Sequence, residues 1–196
     1  MTKKISLVVA VLGLLALAPV TSAEDRDQPT GRSIYNLNET WTTQDGEAAS
    51  LSSFSGTPVI AAMGYTTCKD ICPAIVADMM WIEKHHPPAA VDQVRFAFFS
   101  LDPEADTPER LKLYAESHGL DPAHWTLLRA PNEDTVRELA AAFGVAYRRD
   151  IKGGFDHTTV LCLLNSNGEI VFQQRGTQAA SEELLGRLRE LLSAKH

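Results

Sequence analysis

The chain has 196 residues, 44% of them hydrophobic and 22% charged, with 18 lysines and arginines against 25 aspartates and glutamates. That is the make-up of one globular domain long enough to bury its own core. The acidic surplus argues against nucleic acid or an anionic membrane surface as a partner.

Residues 1–23 form a separate segment. Lys3 and Lys4 precede an apolar run from Ile5 to Ala18, Pro19 breaks it, and Thr21-Ser22-Ala23 supplies small residues for cleavage. This is the layout of a secretory signal peptide cleaved near Ala23, and it predicts export to a periplasm. Read instead as an N-terminal membrane anchor, the run is short for a bilayer. Cleavage would leave 16 basic against 25 acidic residues. Residues 24–33 are polar, contain Pro29 and Gly31, and read as a leader to a domain spanning 34–196.

Along that domain, Ile34 to Trp41 and Glu47 to Leu51 flank Gln44-Asp45-Gly46 and predict a hairpin. Pro58 to Tyr65 is a continuous apolar run, as in a strand buried on both faces. Pro73 suits the first turn of a helix reaching His85 before Pro87-Pro88. Val94 to Leu101 is a second buried strand. Asp106-Thr107-Pro108-Glu109 opens a helix to His118-Gly119. Trp125 to Leu128 reads as a strand and Asn132 to Phe143 as a helix closed by Gly144. Val145 to Tyr147 reads as a short strand, and Gly153-Gly154 as a loop before Asp156-His157. Thr159 to Leu164 and Glu169 to Arg175 pair around Asn165-Ser166-Asn167-Gly168, and a last helix runs from Ser181 to about Ala194. Strands alternating with helices, closed by a hairpin, imply an α/β fold: a mixed central sheet, helices on both faces and an N-terminal β-hairpin. A cysteine pair between the first central strand and its helix is the thioredoxin-like placement.

The pair is Cys68 and Cys72. With Pro73 at the first helical position, Cys72 falls at or near the N-cap, facing unpaired backbone N–H groups and the positive end of the helix dipole. Both favour a thiolate and predict a lowered pKa. Lys69 reinforces this and Asp70 opposes it. Two sulfurs at this spacing can form a redox-active disulfide or meet at one ion. Soft thiolates select Cu(I), Zn(II) or iron–sulfur clusters, but two cysteines do not close a tetrahedral zinc site. An imidazole as third ligand would give a trigonal site suited to copper. Of the six histidines, His85, His86 and His118 sit at helix ends, His124 sits in a loop and His196 is terminal. His157 follows a glycine loop and opens the strand expected beside the cysteine strand. It reads equally as a ligand and as a loop histidine bonded to Asp156. Cys162, inside Val160-Leu161-Cys162-Leu163-Leu164, reads as a buried thiol. Met63, Met79 and Met80 read as core.

These residues resemble the Sco/SenC family of thioredoxin-like copper-binding proteins. The likeness rests on Gly64-Tyr65-Thr66-Thr67-Cys68 through Cys72-Pro73, on Ser100-Leu101-Asp102-Pro103 with Asp106-Thr107-Pro108, and on Asp156-His157-Thr158. It covers roughly Leu37 to Leu192. The resemblance implies copper, as Cu(I) or Cu(II), on Cys68, Cys72 and His157, with Asp156 orienting the histidine from behind. It also implies a part in assembling the binuclear copper centre of cytochrome c oxidase. Partners would be that centre's subunit or another cuproprotein, with other copper chaperones or thioredoxin-like reductants. Where many members have proline after the first cysteine, this chain has Lys69. Two rival readings use the same cysteines: a thiol–disulfide oxidoreductase and a peroxide-reducing enzyme. Thioredoxins carry a cis-proline opposite the pair, where Phe155-Asp156-His157-Thr158 stands here, and that favours metal over disulfide exchange.

Overall fold

The computed structural model describes residues 30–69, 71–86, 92–151, 153–177 and 181–193. The expected signal peptide, most of the leader, Asp70 and His196 lie outside the described residues. None of the described helices is long and apolar enough to cross a membrane.

In chain order the elements are β1 (Trp41–Thr43), β2 (Ala48–Ala49), β3 (Val59–Gly64), α1 (Cys72–His85), β4 (Arg95–Ser100), α2 (Pro108–His118), β5 (Trp125–Arg129), α3 (Glu133–Ala142), β6 (Tyr147–Arg149), β7 (Phe155–His157), β8 (Val160–Leu164), β9 (Ile170–Arg175) and α4 (Ser181–Ser193). Among the described residues seven strands form one sheet in the order β2-β1-β5-β4-β3-β8-β9. β3, β4 and β5 run parallel, while β1 and β8 flank them antiparallel.

β3 and β4 are central, and their near-continuous apolar runs follow from burial on both faces. Alternation divides the core. Ile60 and Ala62 point to one face with Ile75, Val76, Met79 and Ile82 of α1, Leu111 of α2 and Leu184 and Leu188 of α4. Val59, Ala61 and Met63 point to the other with Val136 and Leu139 of α3 and with both site cysteines. Helices therefore cover both faces, as the strand–helix alternation requires. Helix starts are where short polar side chains can cap them: Thr107 Oγ1 accepts from Arg110 N–H, and Asn132 Oδ1 from Thr135 N–H.

Two expectations change. The N-terminal hairpin exists but is shorter than Ile34 to Leu51. Ser33 Oγ accepts the Tyr35 N–H and bends Ile34–Asn36 into a 3-10 turn, and Leu51–Phe54 forms another. The glycine loop before His157 is the turn of a second hairpin. β6 and β7 form a separate two-stranded sheet, with Tyr147 opposite His157 and Arg149 opposite Phe155.

β3 ends on Gly64 because the next layer leaves no room there. A Cβ on Gly64 would stand 2.8 Å from a ring carbon of Phe98 and 3.0 Å from Cys72 Sγ. Gly64→Ala should therefore cost about 1–3 kcal/mol through overpacking. Denaturant unfolding would register this as a lowered midpoint at unchanged slope, and a midpoint equal to wild type would show that the neighbours yield freely.

Candidate metal centre

The chain leaves β3 at Gly64, whose carbonyl accepts the Leu101 N–H at 2.7 Å. The next turn is fastened by Asp106. Its carboxylate accepts from the Thr66 N–H at 3.1 Å, from Thr66 Oγ1 at 2.5 Å and from Ser100 Oγ at 2.6 Å. Asp106 is fully buried. Burial pushes its pKa up, and the three donors only partly offset that. The Asp106-Thr107-Pro108 motif thus does two jobs: Thr107 caps α2 while Asp106 holds the cysteine loop from beneath. Asp106→Ala would leave the buried Ser100 hydroxyl and the half-buried Thr66 hydroxyl and amide without their acceptor. A loss of about 2–4 kcal/mol in unfolding free energy is expected, with faster amide exchange through Thr66 to Cys68.

Cys68 follows one turn later, its N–H bonded to Tyr65 O at 3.2 Å. Cys72 is the first residue of α1 and is completely buried, whereas Cys68 is 9% exposed. Cys72 was expected to receive the free N–H groups of the helix start. Instead its own N–H donates to Cys68 Sγ at 3.4 Å, so Cys68 takes the capping part. The Cys72 thiol is pushed up rather than down. Its sulfur is buried away from water, and Cys68 and Asp106 add negative charge nearby, against a lowering hydrogen bond from the Tyr65 backbone. Desolvation outweighs the helix terminus here. Lys69 is exposed.

β8 runs antiparallel beside β3, with Leu161 opposite Ala62. That register returns the chain preceding β8 to the cysteine end of the sheet. His157, the last residue of β7, stands there with Nε2 3.3 Å from Cys72 Sγ. One ligand atom each from Cys68, Cys72 and His157 lie within 4.8 Å of one another. Metal–nitrogen and metal–sulfur bonds of about 2.0–2.3 Å at trigonal angles place ligands roughly 3.8–4.0 Å apart. The three atoms fit one soft cation with little movement.

The His157 ring turns Nδ1 toward Thr158 O at 3.2 Å, leaving Nε2 to the sulfurs. Asp156, expected to orient the ring, points across the hairpin and takes Arg148 in two hydrogen bonds of 2.8 and 3.1 Å. Strand alternation explains this, since neighbours in β7 face opposite ways. Cys162 lies in the same core but is fully buried, with its thiol pushed up to about 12. His85 and His118 bond backbone carbonyls one turn back, Trp81 O and Tyr114 O, as helix-end histidines.

A thioredoxin-like sheet with two cysteines at the first strand–helix junction, met by a histidine from a distant hairpin, defines a protein with a soft, three-coordinate ligand set. The chain belongs to the SCO1/SenC family, which it matches over residues 29–193. It is 29% identical to the SCO1 protein homolog of Bacillus subtilis over 71% of this chain and 72% of that one. It spans 50% of the human mitochondrial SCO1 homolog. Among solved structures it resembles Bradyrhizobium japonicum ScoI with copper bound, at 26% identity and a TM-score of 0.62 over 78% of this chain and 96% of that one. It also resembles BsSco, described with a disulfide switch as a member of the Sco family of cytochrome c oxidase assembly proteins. There the identity is 26% and the TM-score 0.67, over 79% and 94%.

Burial holds the His157 pKa below 6.5, a bond to Thr158 O opposing. The folded chain therefore binds fewer protons here than the unfolded one as the pH falls past 6.5, and folding weakens through that window. Urea midpoints of the metal-free protein at pH 7 and pH 5 should fall less for His157→Ala than for wild type. An equal fall in both would place the acid-sensitive group elsewhere.

Proposed function

We propose that the protein is an exported copper carrier that binds the ion through Cys68, Cys72 and His157 and delivers it to, or matures, the binuclear copper centre of cytochrome c oxidase. The observation that carries this reading is the convergence of two sulfurs and one imidazole nitrogen within 4.8 Å. Membership of the SCO1/SenC family and the likeness to copper-bound ScoI support it. The reading places the protein in a periplasm after cleavage of residues 1–23.

In this reading Cys68 and Cys72 bind as thiolates and His157 binds through Nε2. Two thiolates and one imidazole suit Cu(I). A raised thiol pKa means that Cys72 carries its proton at neutral pH, so copper entry must displace it. Transfer is then ligand exchange: the recipient's thiolates replace those of the carrier, which regain protons, with no net electron movement. Asp156 acts on His157 only through the hairpin that it braces with Arg148.

A second reading rests on the same sulfurs. Cys68 and Cys72 are close enough to be oxidised together, and the related BsSco is described with a disulfide switch. The protein would then reduce the cysteines of a cuproprotein partner, its own pair giving up two electrons and two protons to the partner's disulfide.

Titration of the reduced protein with Cu(I) against a chromophoric competitor tests the first reading. His157→Ala should weaken binding about tenfold or more, and each cysteine-to-serine variant should weaken it further. An affinity and spectrum unchanged in His157→Ala would remove the three-ligand site. For wild type, apparent affinity should strengthen as pH rises, because each thiol that binds as a thiolate gives up its proton as the ion enters. Calorimetry in buffers of different ionisation enthalpy would count the protons released.

A further inference from the structure

β7 has two edges. One faces β6, and among the described residues no other strand pairs with it. A side chain completes the second edge. The Tyr65 hydroxyl accepts from the Phe155 N–H at 3.2 Å and donates to the Phe155 carbonyl at 3.3 Å. One phenol oxygen thus satisfies both backbone groups of a residue that is itself buried. Its reach depends on Gly154, where a Cβ would stand 2.9 Å from that oxygen. The Tyr65 ring meets Phe155 edge-on at 5.3 Å and His157 edge-on at 6.1 Å. At the other end of the hairpin, Thr158 N–H bonds Ala146 O at 2.8 Å, and Ala146 N–H bonds Thr158 Oγ1 at 3.0 Å.

Tyr65 belongs to the cysteine loop, three residues before Cys68. Phe155 lies two residues before His157, and strand periodicity of two puts both side chains on one face. Beside the Cys72–His157 contact itself, the hydroxyl is therefore a direct hydrogen-bonded link between the segment that carries the sulfurs and the strand that carries the imidazole. The Cys72–His157 contact of 3.3 Å spans 85 residues of sequence. Its geometry depends on how the hairpin is held against the loop.

We propose that Tyr65 is a positioning residue for the metal centre: its hydroxyl fixes the strand edge at Phe155 and so sets where His157 Nε2 stands relative to Cys68 and Cys72. The inference rests on His157 being a copper ligand. It goes beyond that reading by assigning the aim of the ligand to a side chain that does not itself bind the ion. A hydroxyl bridging both groups of one residue fixes the strand in two directions. An aromatic ring without the oxygen would fill the same space and leave the strand free to slide.

Tyr65→Phe keeps the ring and removes only the oxygen. In the metal-free protein the Phe155 amide should exchange about tenfold faster, with the amides of β3 and β4 unchanged. The Cu(I) dissociation constant should rise about tenfold. In a His157→Ala background the same substitution should change it by less than about twofold, because the ligand being aimed is gone. If Tyr65→Phe lowers the yield of folded protein, Gly154→Ala displaces the same hydroxyl and should show the same coupling to His157. Unaltered Phe155 exchange, or an affinity loss equal in both backgrounds, would overturn the proposal while leaving the copper site intact. Wild-type affinity in His157→Ala would instead remove the copper reading on which the proposal rests, and the exchange result would still report separately on the bridge.

Discussion

A buried carboxylate holds this site together. Asp106 gathers the Thr66 amide, the Thr66 hydroxyl and the Ser100 hydroxyl around one group from which water is excluded. A carboxyl so placed is costly to ionise, and its raised pKa records that cost. The hydrogen bonds make the arrangement tolerable only in one geometry, in which the end of β4, the start of α2 and the cysteine loop are mutually fixed. Gly64 works in the same direction from the other side, by letting Phe98 and Cys72 Sγ close onto the backbone. The sulfurs therefore stand on a loop that is clamped above and below.

Much of the fold was legible because its signals are local. The apolar run Pro58 to Tyr65 became β3, the Asp106-Thr107-Pro108-Glu109 pattern became the start of α2, and Asn165-Ser166-Asn167-Gly168 became the turn between β8 and β9. The cysteine loop was legible for the same reason, since Pro73 marks the first turn of α1. Composition could not show the β6–β7 hairpin. Tyr147-Arg148-Arg149 and Phe155-Asp156-His157 are three-residue strands, too short for periodicity to separate from loop. Tyr and Phe facing inward around a turn with two glycines were the signal available in the chain.

Electrostatic detail was the least legible part. The expected lowering of the Cys72 pKa came from the helix terminus and from Lys69, both local features. The outcome depended on burial among Gly64, Phe98 and Asp106, which only the assembled fold supplies. The family resemblance implies Asp156 as the orienting partner of His157. Alternation along β7 sends them to opposite faces, and the carboxylate meets Arg148 instead.

The distance along the chain between the three clustered residues carries a consequence for folding. Cys68 and Cys72 lie in one short loop, and an unfolded chain can present them together. His157 joins them only after β8 has docked antiparallel on β3, a closure across 85 residues. Long closures of this kind come late and require most of the sheet to be in place. The assembled Cys-Cys-His cluster is thus a proof of completed folding. An ion that binds all three groups stabilises the finished sheet by mass action, while an unfinished chain presents Cys68 and Cys72 together without His157 held beside them.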